Sequence, residues 1–133
     1  MDENTVHGQL GQVKASFIGG YKYPLVADTV LAGKLSLASI PDIGLMKLLA
    51  ITHRATVRDY LDLAIIIRDH IKLPRLLEMS RSKYGDNFNI LVPLRALTSF
   101  TDLDPEHPKL FDKSLASSWQ LILRKAVKEL ANE

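Results

Sequence analysis

The feature that most constrains this chain is a change of periodicity near Ser39. Before it, "TVHGQLGQVKASFIGG" alternates in residue type, as a half-buried strand does. Gly8 and Gly11 stand where a hairpin turn would need them. "YKYPLVADTVLAGKLSLAS" adds Pro24, Gly33 and short β-prone runs. Two or three short strands fit into this stretch. After Ser39 the pattern becomes helical and stays so. Two or three strands rarely form an independent sheet, so the fold has to be carried by helices.

The helical part is punctuated at readable places. In "SIPDIGLMKLLAITHR", Pro41 suits a first helical turn and Asp42 favours the positive helix N-terminus. Ile43, Met46, Leu49 and Ala50 then form an apolar stripe. "ATVRDYLDLAIIIRDHIKL" places Thr56 three residues before Asp59, the spacing of a capping box. Pro74 and Gly85 bracket a further helix. "DNFNILVPLRALTSF" is apolar and helical in pattern, with Pro93 predicted to kink or split it. "TDLDPEHPKLFDK" reads as a loop. Leu115, Trp119, Ile122, Ala126 and Leu130 mark one face of a terminal amphipathic helix. The expected class is α+β: two or three short strands, then four or five helices segregated at the C-terminal end. Residues 1–133 are one domain or part of one, with a short β segment over 1–39 and a helical segment over 40–133.

Bulk properties exclude several functions. A net charge of +2 with interspersed signs gives no electrostatic case for a dedicated nucleic-acid or anionic-membrane surface. Cysteine is absent, which removes disulfides, thiolate zinc sites and cysteine nucleophiles. The acidic, polar start "MDENTVHGQLGQ" has no signal-peptide apolar region, and the longest apolar run, "LAIII", is far short of a membrane span. A cytoplasmic location is the simplest expectation. His7, His53, His70 and His107 are widely separated and lack metal-ligand spacing. No serine sits in a Gly-x-Ser-x-Gly turn. Asp102, Asp104 and Glu106 read as a solvated acidic turn rather than a calcium site.

The candidate site lies in residues 44–70. Lys47 and Arg54 are seven apart, two helical turns, and so share a face. Asp59 and Asp62 are three apart on the next helix. Each has an ordinary structural explanation. Lys47 can snorkel, Arg54 and His53 can cap a helix end, Asp59 can complete the capping box, and Arg58 and Asp62 can form a surface pair.

"DIGLMKLLAITHRATVRDYLDLAIII" resembles the signature of the AbiEii/AbiGii-type nucleotidyltransferases of abortive-infection and toxin–antitoxin systems. The matching features are Asp42-Ile43, Met46-Lys47, Ala50 to Arg54, and Arg58-Asp59-Tyr60-Leu61-Asp62-Leu63. "VKASFIGGYKYPLV" and "ALTSFTDLDPEHP" are similar to flanking segments. The resemblance covers the C-terminal, helical part of that family's nucleotidyltransferase-like domain. It implies that Lys47 and Arg54 hold nucleotide phosphates, that Lys47 and Asp59 are catalytic, and that Arg58 and Asp62 are secondary.

The family's N-terminal half carries a Gly-Gly/Ser-Thr/Ser phosphate turn and a metal-binding Asp-x-Asp/Glu pair. Phosphoryl transfer needs both, to cradle and to neutralise the phosphates. Here the Gly-Gly is Gly19-Gly20 followed by Tyr21, and the Asp-x-Asp is Asp102-Leu103-Asp104, downstream of the signature. The resemblance therefore implies Mg2+ and an NTP only for a complete family domain, and none held by this chain alone. An antitoxin, a homodimer or partner chain supplying the other half, and an RNA acceptor are the partners it suggests. The alternative is a non-catalytic interaction module that self-associates.

Overall fold

The computed structural model describes residues 4–20, 22–54, 56–100, 103 and 113–132. Among these described residues, four short strands come first: β1 (Thr5–Leu10), β2 (Val13–Ile18), β3 (Val30–Ala32) and β4 (Leu35–Leu37). They form two separate antiparallel hairpins, β1–β2 and β3–β4, rather than one sheet. Five helices follow: α1 (Ile40–His53), α2 (Val57–Asp69), α3 (Leu73–Tyr84), α4 (Leu91–Ala96) and α5 (Leu115–Ala131). The class is α+β, with four strands where two or three were expected. The first turn uses only Gly11, at φ +62; Gly8 lies inside β1, opposite Ala15. Gly33 makes the second turn, at φ +63. At that backbone angle a Cβ would be strained, so glycine is the natural residue.

The helix boundaries follow local chemistry. Ser39 caps α1, its hydroxyl accepting from the Asp42 N–H at 3.1 Å, and Pro41 sits in the first turn. Thr56 caps α2 in the same way, accepting from the Asp59 N–H at 3.2 Å. Pro74 occupies the first turn of α3, and Gly85, at φ 88, closes it. Pro93 falls in the first turn of the short α4, where its missing N–H costs no helical hydrogen bond. The acidic proline-rich segment around Asp102, Asp104, Glu106 and His107 lies outside the described residues, apart from Leu103.

The core belongs to the helices. Leu45, Leu48 and Ile51 of α1 meet Tyr60, Leu61, Leu63 and Ala64 of α2, Leu73, Leu76 and Leu77 of α3, and Leu115, Trp119 and Leu123 of α5. The buried stripe of α1 thus runs through Leu45, Leu48 and Ile51; Met46, placed in the stripe by periodicity, is exposed. Helix α1 is apolar nearly all round, so its sequence alone leaves the phase of the stripe undetermined. Tyr60 stacks on Trp119 with centroids 5.3 Å apart, and Phe100 meets both rings edge-on. The Tyr60 hydroxyl donates to the Ala96 carbonyl at 2.7 Å, so this large side chain is buried without an orphaned polar group.

One polar cluster is completely buried. Lys83 of α3 pairs with Asp42 of α1 at 2.8 Å, and both side chains are fully shielded from solvent. Asp42 also accepts from the Val26 and Ala27 N–H groups and from the Ser39 hydroxyl, while Lys83 donates to the Pro24 carbonyl. Asp42 stands in the first turn of α1 as expected, and its carboxylate also anchors this buried network. It pins the 24–27 segment to two helices. Burial opposes the Asp42 charge, but the Lys83 hydrogen bond, the Val26 and Ser39 hydrogen bonds and the Lys83 charge together hold its carboxyl below the usual range.

Candidate functional site

Helices α1 and α2 pack side by side, and their polar edges meet where α1 ends and α2 begins. Lys47 projects from the middle of α1 toward the first turn of α2. Its ammonium lies 3.0 Å from Asp59 Oδ1 and 2.9 Å from Asp62 Oδ2. Two carboxylates therefore share one cation. The three-residue spacing of Asp59 and Asp62 puts both on the α2 face that looks at α1. The Lys47 side chain is about a quarter exposed, so the clamp lies at the protein surface.

Asp59 has two tasks. Its N–H and its Oδ2 both engage the Thr56 hydroxyl, which donates to Oδ2 at 2.9 Å, while Oδ1 accepts from Lys47. Capping and site geometry are thus not alternatives here: the cap locks the carboxylate that receives the lysine. Burial disfavours the Lys47 charge, yet the hydrogen bonds it donates to Asp62 and then Asp59, with the charges of both carboxylates, raise its pKa above the ordinary lysine value. The lysine is a fixed cation at any physiological pH.

Beside this clamp opens a groove of ≈ 610 Å³ lined by Lys47, Ala50, His53, Arg54, Thr56, Arg58 and Asp59. Four of the five residues singled out from sequence, Lys47, Arg54, Arg58 and Asp59, line it. The fifth, Asp62, touches Lys47 directly. It is a jaw of the lysine clamp rather than only a partner for Arg58. Arg54 ends α1 in an extended conformation, φ −142, which turns the chain toward α2. His53, read from sequence as a solvated cap, is exposed and also lines the groove. Its signal was available: Lys47, Ala50, His53 and Arg54 fall at spacings of three, six and seven along α1.

The groove combines an ammonium, two guanidinium groups and an imidazole with the Asp59 carboxylate. Such a set can receive the oxygens of a phosphate chain, the arginines as planar forks and the lysine as a point charge. Among the described residues no group of three or more His, Cys, Asp or Glu could hold a metal ion.

The model of a protein family, nucleotidyl transferase AbiEii toxin of type IV toxin–antitoxin systems, matches residues 24–132. The chain belongs to the AbiEii family. The matched span contains β3, β4, all five helices and every residue of the α1–α2 groove; the β1–β2 hairpin precedes it. The AbiEii assignment agrees with the resemblance seen in Asp42-Ile43, Met46-Lys47 and Arg58 to Leu63. Neither a curated protein nor a solved structure matches the chain. Among the described residues, no helix is long and apolar enough to cross a membrane.

Proposed function

We propose that the α1–α2 groove is the helical half of a nucleotidyltransferase site. The observation that carries this reading is the Lys47 clamp: a cation fixed by Asp59 and Asp62 at the wall of a groove shared with Arg54 and Arg58. Lys47 and Arg54 receive the phosphates of a nucleoside triphosphate. Asp59 positions Lys47 and acts with it at the reacting phosphate, while Arg58 and Asp62 support the pair. When bound, Mg2+ would neutralise charge on the phosphates. A phosphate turn and a metal-binding Asp-x-Asp strand complete the site and come from another polypeptide or segment. The completed site passes a nucleoside monophosphate from the triphosphate to an acceptor such as RNA, the acceptor oxygen bonding the α-phosphorus as the α–β phosphoanhydride bond breaks and pyrophosphate leaves, in the cytoplasm and under control of a cognate antitoxin.

On this reading the 133-residue protein has the binding groove but not the catalytic power. Incubated with magnesium and labelled NTPs, it should label neither RNA nor protein. Robust labelling that disappears in Lys47→Ala would sink the half-site reading and make the chain a complete enzyme. Calorimetric titration with a nucleoside triphosphate tests the groove itself. Binding should weaken at least about tenfold in Lys47→Ala and in Arg54→Ala, the loss expected for one charge-assisted contact. Equal affinity in wild type and both variants would remove the phosphate role.

A further inference from the structure

We propose that Thr56 is a positioning residue of the α1–α2 groove: the hydrogen bond its hydroxyl donates to Asp59 turns the carboxylate toward Lys47 and so holds the ammonium at the groove wall. As a statement about Lys47 this stands on geometry alone. As a statement about nucleotide binding it rests on the function proposed above.

One oxygen does two different jobs at this helix end. Thr56 Oγ1 accepts from the Asp59 N–H at 3.2 Å, which caps α2. The same Oγ1 donates to Asp59 Oδ2 at 2.9 Å, while Oδ1 of that carboxylate receives Lys47 at 3.0 Å. Capping alone does not call for the donated bond. Asparagine and aspartate cap at least as well as threonine, but an amide or carboxylate oxygen has no proton to give. Only a hydroxyl accepts and donates from one atom. The residue at position 56 therefore acts on Asp59 beyond ending the helix.

The fold contains the same device a second time. Ser39 Oγ accepts from the Asp42 N–H at 3.1 Å and donates to Asp42 Oδ2 at 2.9 Å, and Asp42 Oδ1 receives Lys83 at 2.8 Å. In both copies a hydroxyl cap takes one carboxylate oxygen and a lysine from another helix takes the other. In the buried copy the Val26 and Ala27 N–H groups also grip Asp42, so Ser39 is one support among several. At the groove, among the described residues, the Asp59 carboxylate is hydrogen-bonded by Thr56 and Lys47 alone. The terminal torsion of an aspartate is broad, so nothing within the side chain fixes the plane of its carboxylate. Without the Thr56 bond that plane turns, and the contact drawing Lys47 toward α2 loosens. Thr56 is half-buried and lines the groove beside Lys47, so the effect falls at the site itself.

Three variants separate the two jobs. Thr56→Ser keeps both, Thr56→Asn keeps the cap and loses the donated bond, and the isosteric Thr56→Val loses both. Each is read by its urea unfolding midpoint, by the Lys47 titration from side-chain nitrogen NMR, and by calorimetric affinity for ATP. Thr56→Ser should match wild type in all three. Thr56→Asn should keep the unfolding midpoint, yet its Lys47 titration should fall toward the ordinary lysine value of about 10.4. ATP should bind it at least about threefold more weakly. Thr56→Val should lose stability as well. A Thr56→Asn protein whose Lys47 titrates as in wild type overturns the inference and leaves Thr56 a helix cap. So does a Thr56→Ser protein that behaves like Thr56→Val. If Thr56→Asn loses its helical circular dichroism, Thr56→Val against Thr56→Ser decides on the same Lys47 readout. A wild type that binds no ATP refutes the site reading, while the Lys47 titrations, taken without nucleotide, still decide this inference.

Discussion

Two lysines in this small protein are held by carboxylates, Lys47 by two and Lys83 by Asp42, and they behave oppositely because of where they lie. Lys83 is sealed with Asp42 in the core. Replacing a buried pair with apolar groups is often tolerated, but removing one partner strands the other charge. Lys83→Met should therefore lower the unfolding free energy by about 3–5 kcal/mol, measured by urea denaturation, while the double variant D42N/K83M recovers most of that loss. Asp42 also sets a pH dependence. Its folded pKa is depressed below 3.8. Its stabilisation is therefore complete above the unfolded value, about 3.9, and is lost as pH falls through the lower folded value. Between pH 5 and pH 2 wild type should lose more stability than D42N/K83M. Lys47 has the reverse sign: its raised pKa gives stabilisation that is complete below about 10.4 and lost as pH rises through the folded value. Removing one jaw with Asp62→Asn should bring the Lys47 titration, followed by side-chain nitrogen NMR, down toward the ordinary lysine range. An unchanged titration would mean that Asp62 does not act on Lys47 in solution. None of this could be read from order along the chain for Asp42 and Lys83, which are 41 residues apart. Lys47 and Asp59 were legible as neighbours, because adjoining helices of known start and period bring them within reach, whereas Asp62 was read as a partner for Arg58 and its contact with Lys47 depends on how the two helices are rotated against each other.

At the scale of elements, boundaries were the most readable part of the fold and facing directions the least. Ser39, Pro41, Thr56, Pro74 and Gly85 act within a few residues of themselves, so their sequence positions suffice to place helix ends. Which side of α1 is buried depends on what α2, α3 and α4 offer it, and a nearly all-apolar helix gives no preference. Gly44 shows the consequence. A Cβ there would lie 3.1 Å from Leu76 Cδ1 and 3.3 Å from Ile66 Cγ2, so α1 approaches both neighbouring helices closely at this point. Gly44→Ala improves helix propensity by up to about 1 kcal/mol. The crowding costs about 1–3 kcal/mol, and overpacking wins. Thermal unfolding should show a lower Tm for Gly44→Ala; a higher one would mean that Leu76 and Ile66 can move aside freely.

For the molecule as a whole, the strands and the helices stand in unequal relation. The expected order of strands then helices holds, but the strands form two small hairpins whose large apolar side chains stay exposed. Sequence alternation marks a strand without saying what will cover its apolar side, which is why, among the described residues, four strands stand in two hairpins where two or three strands were expected. The link between the parts is the segment from Tyr23 to Ala27. Tyr23 packs edge-on against Tyr84 at 4.8 Å, and Pro24, Val26 and Ala27 feed the Asp42–Lys83 cluster. A protein shortened to residues 22–133 should therefore keep its helical circular dichroism and its Tm within a few degrees. Loss of cooperative unfolding in that variant would show that β1–β2 supports the helical body after all.

Tyr60, one residue from Asp59 and two from Asp62, stacks on Trp119, the chain's single tryptophan. The protein thus has its own optical gauge beside the lysine clamp. Any ligand that shifts α2 to pull Asp59 and Asp62 away from Lys47 must also slide one ring across the other. Its occupancy can then be followed by intrinsic emission, with no label attached.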